Sequence, residues 1–217
     1  MSTDTTILIT GGAGLIGLYA AKCLKDRGYN IVCVDTAKRP QHASYILHDK
    51  AKDIPHIETD VLAFDQLKRI IDDYSVTGII HAAAIVNENV FLADPLRGVR
   101  VNTIGTANIL ELARQCQLRR IIFCSSGTIY GPNAGQPLQE GDEDPKGFYA
   151  ETKSISERLM AQYRDKFDVD SISVRISSVY GPGKTWNMEN YPMQRLCFHA
   201  LKKDDFFLAD GGDYVRD

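Results

Sequence analysis

Residues 10–17 read TGGAGLIG, and they follow the apolar run ILI at positions 7–9. Four of these eight residues are glycine, which lets a backbone turn tightly and lets another molecule approach it closely. Leu15, Ile16 and Tyr19 then begin a pattern of apolar residues at helical spacing. The stretch therefore predicts a strand that turns through glycines into a helix, which is the first unit of an α/β fold.

The rest of the chain repeats this order of short apolar runs and helical patterns. Strands are predicted for the apolar runs at 31–35, 78–84, 119–126 and 169–181. Helices are predicted for the patterns at 64–74, 97–117, 148–167 and 193–203. The predicted strands are apolar throughout, as expected when both faces of a sheet are covered. We predict a doubly wound parallel sheet with helices on both faces, the Rossmann type of α/β fold.

The glycine turn has the spacing of a dinucleotide-binding loop. Gly12, Gly14 and Gly17 satisfy G-x-G-x-x-G, and Gly11, Gly14 and Gly17 satisfy G-x-x-G-x-x-G. A strand precedes the turn, a helix follows it, and Asp35 ends the next predicted strand, which is the context that such a site requires. The N-terminus of the helix would attract a pyrophosphate. The alternative interpretation is a glycine-rich structural turn.

Asp35 also predicts which dinucleotide binds. Its carboxylate would accept hydrogen bonds from ribose hydroxyls, whereas a 2′-phosphate would meet like charge. We therefore predict NAD as the cofactor. Lys38 and Arg39 stand close by in the sequence and leave NADP as the alternative.

Tyr149 and Lys153 are four residues apart in FYAETK, which places them on one face of the predicted helix. A free phenol has a pKa of about 10 and is a poor base at neutral pH. An ammonium at ~4 Å would favour the phenolate by about 4 kcal/mol at an effective dielectric of ~20. We expect Lys153 to lower the pKa of Tyr149, so that the tyrosine serves as a general base. A surface pair without function is the alternative.

Small residues end two of the predicted strands. Ser125 and Ser126 end RRIIFCSS, and the alanines of HAAA at 81–84 end GIIHAAA. Ligands of open parallel sheets bind beyond the carboxyl ends of the strands. Ser126 is therefore positioned to hold a substrate oxygen, and the alanines would let a cofactor lie against the backbone. Strand termination and close helix packing are the structural alternatives.

Together these motifs resemble the extended short-chain dehydrogenase/reductase family, and within it the NAD-dependent nucleotide-sugar epimerase/dehydratase branch. The matching segments are TGGAGLIG, VD at 34–35, TDV at 59–61, HAAA, VNTIGTANILELA at 101–113, SSGTIYG at 125–131, YAETK at 149–153 and VRISSVYGPG at 174–183. The resemblance implies an enzyme that uses NAD on a nucleotide sugar, with epimerisation through a transient keto intermediate.

The resemblance assigns a role to each matching position. The catalytic residues would be Ser126, Tyr149 and Lys153. The substrate contacts would be Thr128, Ser178 and Arg216. The cofactor contacts would be Gly11, Gly14, Leu15, Ile16, Gly17, Asp35, Asp60, Val61, Ala82, Ala83, Ala84, Tyr149 and Lys153. Asn102 would support the active-site end of the sheet.

Two departures from the family pattern bear on the reaction. Family dehydratases carry Asp-Glu directly after the catalytic hydroxyl, whereas Gly127 and Thr128 stand there in this chain. Dehydration is therefore disfavoured, and epimerisation is the leading hypothesis. Ser178 replaces a substrate-contacting Asn. A dehydrogenase of a sugar, uronate or small hydroxy compound, and a non-catalytic NAD-binding module used for sensing, are the alternatives.

Composition excludes several other classes of protein. The net charge of −3 over 217 residues favours neither nucleic acid nor an anionic membrane. No apolar run approaches the roughly 18 residues of a membrane span, and no secretory signal opens the sequence. The five cysteines lack metal-ligand spacing and indicate a reducing compartment. We expect a cytoplasmic protein without a metal site.

The expected organisation is an NAD-binding domain at 1–180 followed by the start of a substrate-binding region at 181–217. Because family members continue beyond this point, the C-terminal substrate domain is expected to be incomplete. The polar loop at 131–146 either belongs to a binding site or is a surface excursion. A homodimer is expected, formed through the predicted helices at 97–117 and 148–166.

Overall fold

The computed structural model describes residues 5–132, 137–181 and 192–205. The strands are β1 (Thr6–Thr10), β2 (Asn30–Asp35), β3 (His56–Glu58), β4 (Val76–His81), β5 (Arg120–Ser126) and β6 (Ser171–Ile176). They form one parallel sheet in the order β3-β2-β1-β4-β5-β6. The order reverses between β1 and β4, which leaves a crevice outside the carboxyl ends of these two strands. The predicted parallel sheet is confirmed.

Helices connect the strands. They are α1 (Leu15–Asp26), α2 (Ala43–Leu47), α3 (Phe64–Asp73), α4 (Glu88–Ala93), α5 (Pro95–Val99), α6 (Gly105–Gln115), α7 (Gly147–Phe167) and α8 (Pro192–Lys202). Shorter turns are 3₁₀-helical at His48–Asp53 and Gly127–Tyr130 and π-helical at Arg100–Ile104. No helix in the described ranges combines the length and hydropathy needed to cross a membrane.

Successive residues of the central strands are buried on opposite faces of the sheet. Leu8 and Val34 pack with residues of α3, α6 and α7. Ile9 and Cys33 pack on the other face with residues of α1 and α2. Because both faces are covered, both sets of alternating positions must be apolar, which explains the continuous apolar runs in the sequence.

The helix predicted at 97–117 is present as a continuous helical segment from Pro95 to Gln115, but its middle turn is π-helical, which the sequence did not predict. Pro95 begins α5, and the side chain of Asp94 caps it by accepting the N–H of Arg97 at 3.0 Å. The π-helical turn then separates α5 from α6 and buries Asn102. Apolar periodicity did not reveal this turn because the pattern continues across it.

Three short strands or α-helices were missed altogether, as was the 3₁₀ helix at His48–Asp53. They are β3, α2 and α4, of three, five and six residues. So few positions do not establish a period in the sequence. The boundary expected at residue 180 stays a prediction, because residues 182–191 and 206–217 lie outside the described ranges.

In the first crossover, which runs from β1 through α1 to β2, two glycines approach neighbouring backbone so closely that they leave no room for side chains. Gly11 has φ +71°, and a Cβ there would lie 2.7 Å from the backbone nitrogen of Ala83. A Cβ on Gly17 would lie 2.2 Å from the carbonyl oxygen of Gly11. The glycines therefore bring the start of α1 against the turn, and the turn against the end of β4.

Gly17→Ala is expected to destabilise the protein by about 1–3 kcal/mol, because the added methyl group overlaps a backbone oxygen. Urea denaturation of the variant and the wild type measures the difference. Gly127→Ala is the matched control, since its Cβ would meet nothing closer than Ser177 Cα at 3.7 Å. Equal losses of stability in the two variants would contradict the packing described for the first crossover.

Candidate functional site

A groove opens over the first crossover, at the carboxyl edge of the sheet. Its lining residues are Gly11, Gly14, Val34, Asp35, Thr36, Thr59, Asp60, Val61, Ala82, Ala83, Ala84, Ile85, Arg97 and Val101. They come from the ends of β1, β2, β3 and β4 and from the segment 97–101. The groove thus spans the crevice where an open α/β sheet binds its ligand.

Most of the predicted cofactor contacts meet in this groove. Those that line it are Gly11, Gly14, Asp35, Asp60, Val61, Ala82, Ala83 and Ala84. Gly17 is buried next to Gly11, and Leu15 and Ile16 form the start of α1 without being among the lining residues. The lining residues that sequence reasoning missed are Val34, Thr36, Thr59, Ile85, Arg97 and Val101. Val34, Thr59 and Val101 lie within motifs that match the family but were given no role, whereas Thr36, Ile85 and Arg97 belong to no motif, and only folding brings these residues together.

Asp35 is fixed at the edge of the glycine turn. Its Oδ2 accepts the N–H of Ala13 and its Oδ1 accepts the N–H of Ala37, both at 3.0 Å. Each oxygen keeps capacity to accept a further hydrogen bond. The residues present therefore fit an adenosine ribose, because its hydroxyl groups can donate hydrogen bonds to the acceptor positions that this carboxylate still has available.

Arg39 does not serve as the phosphate-binding alternative. Its guanidinium donates to the carbonyl oxygens of Ala51 and Ile54, both at 2.5 Å. These contacts join the segment after β2 to the chain before β3. With Arg39 used in this way and Asp35 facing the groove, the geometry favours NAD over NADP.

The predicted catalytic residues converge at the end of β5. Ser126 is buried, and its Oγ accepts hydrogen bonds from the backbone N–H and the hydroxyl of Thr128, at 3.2 Å and 2.9 Å. The Ser126 hydroxyl lies close enough to Tyr149 to act as a hydrogen-bond donor that lowers the pKa of the tyrosine. Ser178 lies just beyond β6 and is exposed, and Arg216 lies outside the described residues. β5 neighbours β4 in the sheet, so this cluster lies beside the strand end that bears the alanines.

Lys153 is more deeply buried than a surface pair would be. Only 3% of its surface is exposed, and its Nζ donates to the carbonyl oxygen of Cys124 at 2.7 Å. The Nζ lies 4.5 Å from the centroid of the Phe123 ring and 5.9 Å from that of the Tyr149 ring. Burial lowers the pKa of Lys153 to about 8.

The expectation that Lys153 lowers the pKa of Tyr149 is wrong for the ligand-free protein. Burial raises the pKa of Tyr149, and the hydrogen bond with Ser126 only partly opposes this effect. The lysine nitrogen is directed to Cys124, and its own charge is disfavoured by the same low-dielectric surroundings. The spacing of four residues on a helix brings the Tyr149 and Lys153 side chains close together, but their burial disfavours the charged form of each.

The pKa of Tyr149 is therefore expected to lie above the ordinary tyrosine value of about 10 in the ligand-free protein, because burial disfavours the phenolate. The chain has ten tyrosines, so the measurement is the difference in phenolate absorbance between the wild type and Tyr149→Phe during a pH titration. A difference signal with its midpoint near neutral pH would contradict this electrostatic description.

Asn102 connects the groove to the catalytic helix. Its Oδ1 accepts the N–H of Ile85 at 2.8 Å, and its Nδ2 donates to the carbonyl oxygen of Ile85 and to the Thr152 hydroxyl, at 2.9 Å and 3.0 Å. All the hydrogens of this amide are used, which fixes its orientation. The contacts hold the chain after β4 against α7 beside Lys153, the supporting role that the family resemblance implied.

His81 extends this polar network beneath the groove. The Thr106 hydroxyl contacts the carbonyl oxygen of Asn102 at 2.6 Å, and such an oxygen only accepts, so the hydroxyl donates. His81 Nε2, 3.1 Å from the same hydroxyl, must then carry a hydrogen and donate to it. Nδ1 in turn accepts from Thr10 at 2.7 Å, and Thr10 accepts the N–H of Ala83 at 3.2 Å. Burial lowers the pKa of His81 to about 3, so the ring stays neutral.

Thr106→Val is expected to destabilise the protein by about 1–3 kcal/mol, because the buried N–H of His81 loses its acceptor. Thr103→Val is the matched control, since the buried Thr103 hydroxyl has no hydrogen-bond partner within the described residues. Urea denaturation compares the two variants, and ¹⁵N NMR reports the tautomer of His81 in the wild type. An Nδ1–H tautomer, or equal effects of the two substitutions, would contradict the network.

The fold and this site define a Rossmann-type dinucleotide-binding protein with a serine, a tyrosine and a lysine at one strand end. Comparison with protein families agrees with this class. The model of the NAD dependent epimerase/dehydratase family matches residues 7–217. The chain belongs to that family, which confirms the resemblance indicated by its motifs.

Individual relatives are named epimerases of UDP-sugars. A probable UDP-glucuronate 4-epimerase of Rhizobium meliloti is 32% identical over 185 residues, which are 81% of this chain and 53% of that protein. The structure of a UDP-glucose 4-epimerase from Brucella ovis in complex with NAD has 27% identity and a TM-score of 0.80, over 94% of this chain and 63% of that one.

A second solved structure contains both a nucleotide sugar and NAD. It is a UDP-glucuronic acid 4-epimerase from Bacillus cereus in complex with UDP-glucuronic acid and NAD, with 26% identity and a TM-score of 0.80 over 98% of this chain and 68% of that one. This chain spans between about half and two thirds of the length of the first curated relatives that it matches. These findings support NAD as the cofactor, as the first crossover predicted.

Proposed function

We propose that this protein is an NAD-dependent epimerase of a nucleotide sugar, most closely a UDP-sugar 4-epimerase. The observation that supports it best is that Ser126, Tyr149 and Lys153 come together at the end of β5, where the buried Lys153 Nζ donates to the Cys124 carbonyl oxygen, beside a groove whose residues fit a dinucleotide. The names of the matched relatives support the UDP-sugar class and the position of the reaction on the sugar.

The residues of the groove would hold the cofactor in a defined order. Asp35 would accept hydrogen bonds from the adenosine ribose, and Asp60 and Val61 would border the adenine. The diphosphate would lie on the turn at Gly11 and Gly14. NAD supplies reversible hydride transfer when it is bound.

Tyr149 and Ser126 would move and hold the proton of the reaction. The phenolate oxygen of Tyr149 would accept the proton of a sugar hydroxyl while that carbon is oxidised to a transient ketone. The Ser126 hydroxyl accepts two hydrogen bonds from Thr128, so its hydrogen is directed to Tyr149 in the ligand-free protein and would be donated to the same sugar oxygen when the substrate is bound. Tyr149 then returns the proton when the ketone is reduced on its other face, so the net proton balance is zero.

Lys153 would serve both the cofactor and the tyrosine. Its Nζ uses one hydrogen on Cys124 and retains two when it is charged. These hydrogens would bond the nicotinamide ribose. With a pKa of about 8, the lysine is mostly charged at neutral pH and deprotonates as the pH rises above that value. Its positive charge favours the phenolate once a ligand completes the site.

Substrate contacts would come from Thr128, Ser178 and Arg216. Thr128 is exposed beside Ser126, and Ser178 is exposed after the neighbouring strand β6. Gly127 has room for a side chain, since its nearest neighbour would be 3.7 Å from a Cβ. Steric crowding therefore does not explain the absence of the dehydratase carboxylates, and their absence supports epimerisation over loss of water. A homodimer and a cytoplasmic location belong to the same proposal.

Tyr149→Phe is expected to lower kcat by about 10²–10⁴-fold while leaving NAD affinity unchanged, because it removes only the group that exchanges the proton. Conversion of UDP-glucose, UDP-glucuronate and UDP-N-acetylglucosamine is followed by NMR of the sugar, and NAD affinity by calorimetry. Tyr163→Phe is the matched control: it lies on the same helix, and its hydroxyl contacts Glu111 at 3.4 Å, away from the site.

The same assay separates the alternative functions. Release of one NADH for each substrate consumed would identify a dehydrogenase. Tight NAD binding by the wild type without conversion of any nucleotide sugar would indicate a binding module. Full activity of Tyr149→Phe would overturn the proposed catalytic role.

A further inference from the structure

Arg97 places an unpaired positive charge in the groove. The Asp94 side chain caps α5 by accepting the backbone N–H of Arg97, which fixes the start of this short helix. Arg97 lines the groove together with Val101, which is four residues further along the chain. Within the described residues, the Arg97 guanidinium has neither an ion pair nor a hydrogen bond, whereas the guanidinium groups of Arg39 and Arg175 both have such partners.

The acidic residues of the same groove are not its partners. Asp35 accepts the N–H groups of Ala13 and Ala37, and Asp60 accepts the N–H of Leu62 at 2.9 Å. Both carboxylates are thus oriented by their own loops. Of the described residues that line the groove, Arg97 is the one with a positive charge. An anionic ligand in this groove is therefore attracted to the side on which Arg97 lies and repelled from the two aspartates.

We propose that Arg97 binds the diphosphate of NAD, an inference that rests on the cofactor named in the proposed function. The turn at Gly11 and Gly14 offers backbone N–H groups to the diphosphate but no side-chain charge. Arg97 supplies that charge from the segment that follows β4 and lines the same groove as the turn. A planar guanidinium makes paired hydrogen bonds to phosphate oxygens, which a single ammonium does not reproduce.

The 2′-phosphate and the diphosphate of a dinucleotide would lie at different places in the groove, so each predicts a different effect of substituting Arg97. A 2′-phosphate would lie on the adenosine ribose, beside the Asp35 carboxylate, where like charge opposes it. The diphosphate would lie over the glycine turn at Gly11 and Gly14. We therefore assign Arg97 to the diphosphate, and ligands with and without each phosphate distinguish the two.

Arg97→Gln is expected to weaken binding of NAD, ADP-ribose and ADP by about 10- to 100-fold each, because a charge-assisted contact is lost. Adenosine, which has no phosphate, is expected to bind the variant and the wild type equally. Affinities are measured by calorimetry at two salt concentrations, and the affinity of the wild type for NAD is expected to fall more steeply with salt than that of the variant.

Arg100→Gln is the matched control, since Arg100 is exposed three residues away, has the same charge and does not line the groove. It is expected to bind all four ligands like the wild type. Arg97→Lys is expected to recover only part of the lost affinity, because it restores charge without the paired geometry. Thermal unfolding of each variant verifies that the fold is retained.

Several results would overturn this assignment. An Arg97→Gln variant that binds NAD as tightly as the wild type, or that loses adenosine affinity equally, would exclude the diphosphate contact while leaving the proposed function intact. A loss confined to NADP would place the arginine at the 2′-phosphate instead. Failure of the wild type itself to bind NAD would overturn the proposed function and this inference together.

Discussion

The close approach of the glycine turn to the end of β4 is the constraint on which the rest of the structure depends. Gly11 leaves no space for a Cβ beside the backbone of Ala82 and Ala83, and Gly17 leaves none beside the Gly11 carbonyl oxygen. Larger residues at either position would separate β1, α1 and β4. The crevice between β1 and β4 would then lose the close-packed floor that a dinucleotide needs, and Asp35 would lose the N–H of Ala13 that orients it.

A buried polar network transmits this arrangement to the reactive end of the sheet. It runs from Ala83 through Thr10, His81 and Thr106 to Asn102, and from there to α7. Each member has its donors and acceptors satisfied, and such networks favour one arrangement over competing ones. The wall of the cofactor groove and the helix that bears Lys153 are therefore held as one unit.

Burial, rather than the spacing of charged residues, sets the electrostatics of the candidate catalytic site. Both Tyr149 and Lys153 have pKa values displaced toward their neutral forms. In the ligand-free protein the tyrosine is therefore a weak base at neutral pH. Under the proposed function, positive charge brought by a bound ligand would favour the phenolate, so proton transfer would depend on the presence of the cofactor. Arg97 shows the opposite situation, because it is exposed at the groove and its guanidinium has no partner within the described residues.

The sequence by itself determined the parallel sheet, the glycine turn, and the residue types at the strand ends, because these depend on local periodicity and on motifs of fixed spacing. Only the tertiary structure decided the π-helical turn at Asn102, the tautomer of His81 and the presence of Arg97 in the groove. It also reversed the expected shift of the Tyr149 pKa. These features depend on groups far apart in the chain, and on how much water folding removes around them, which neither periodicity nor spacing records.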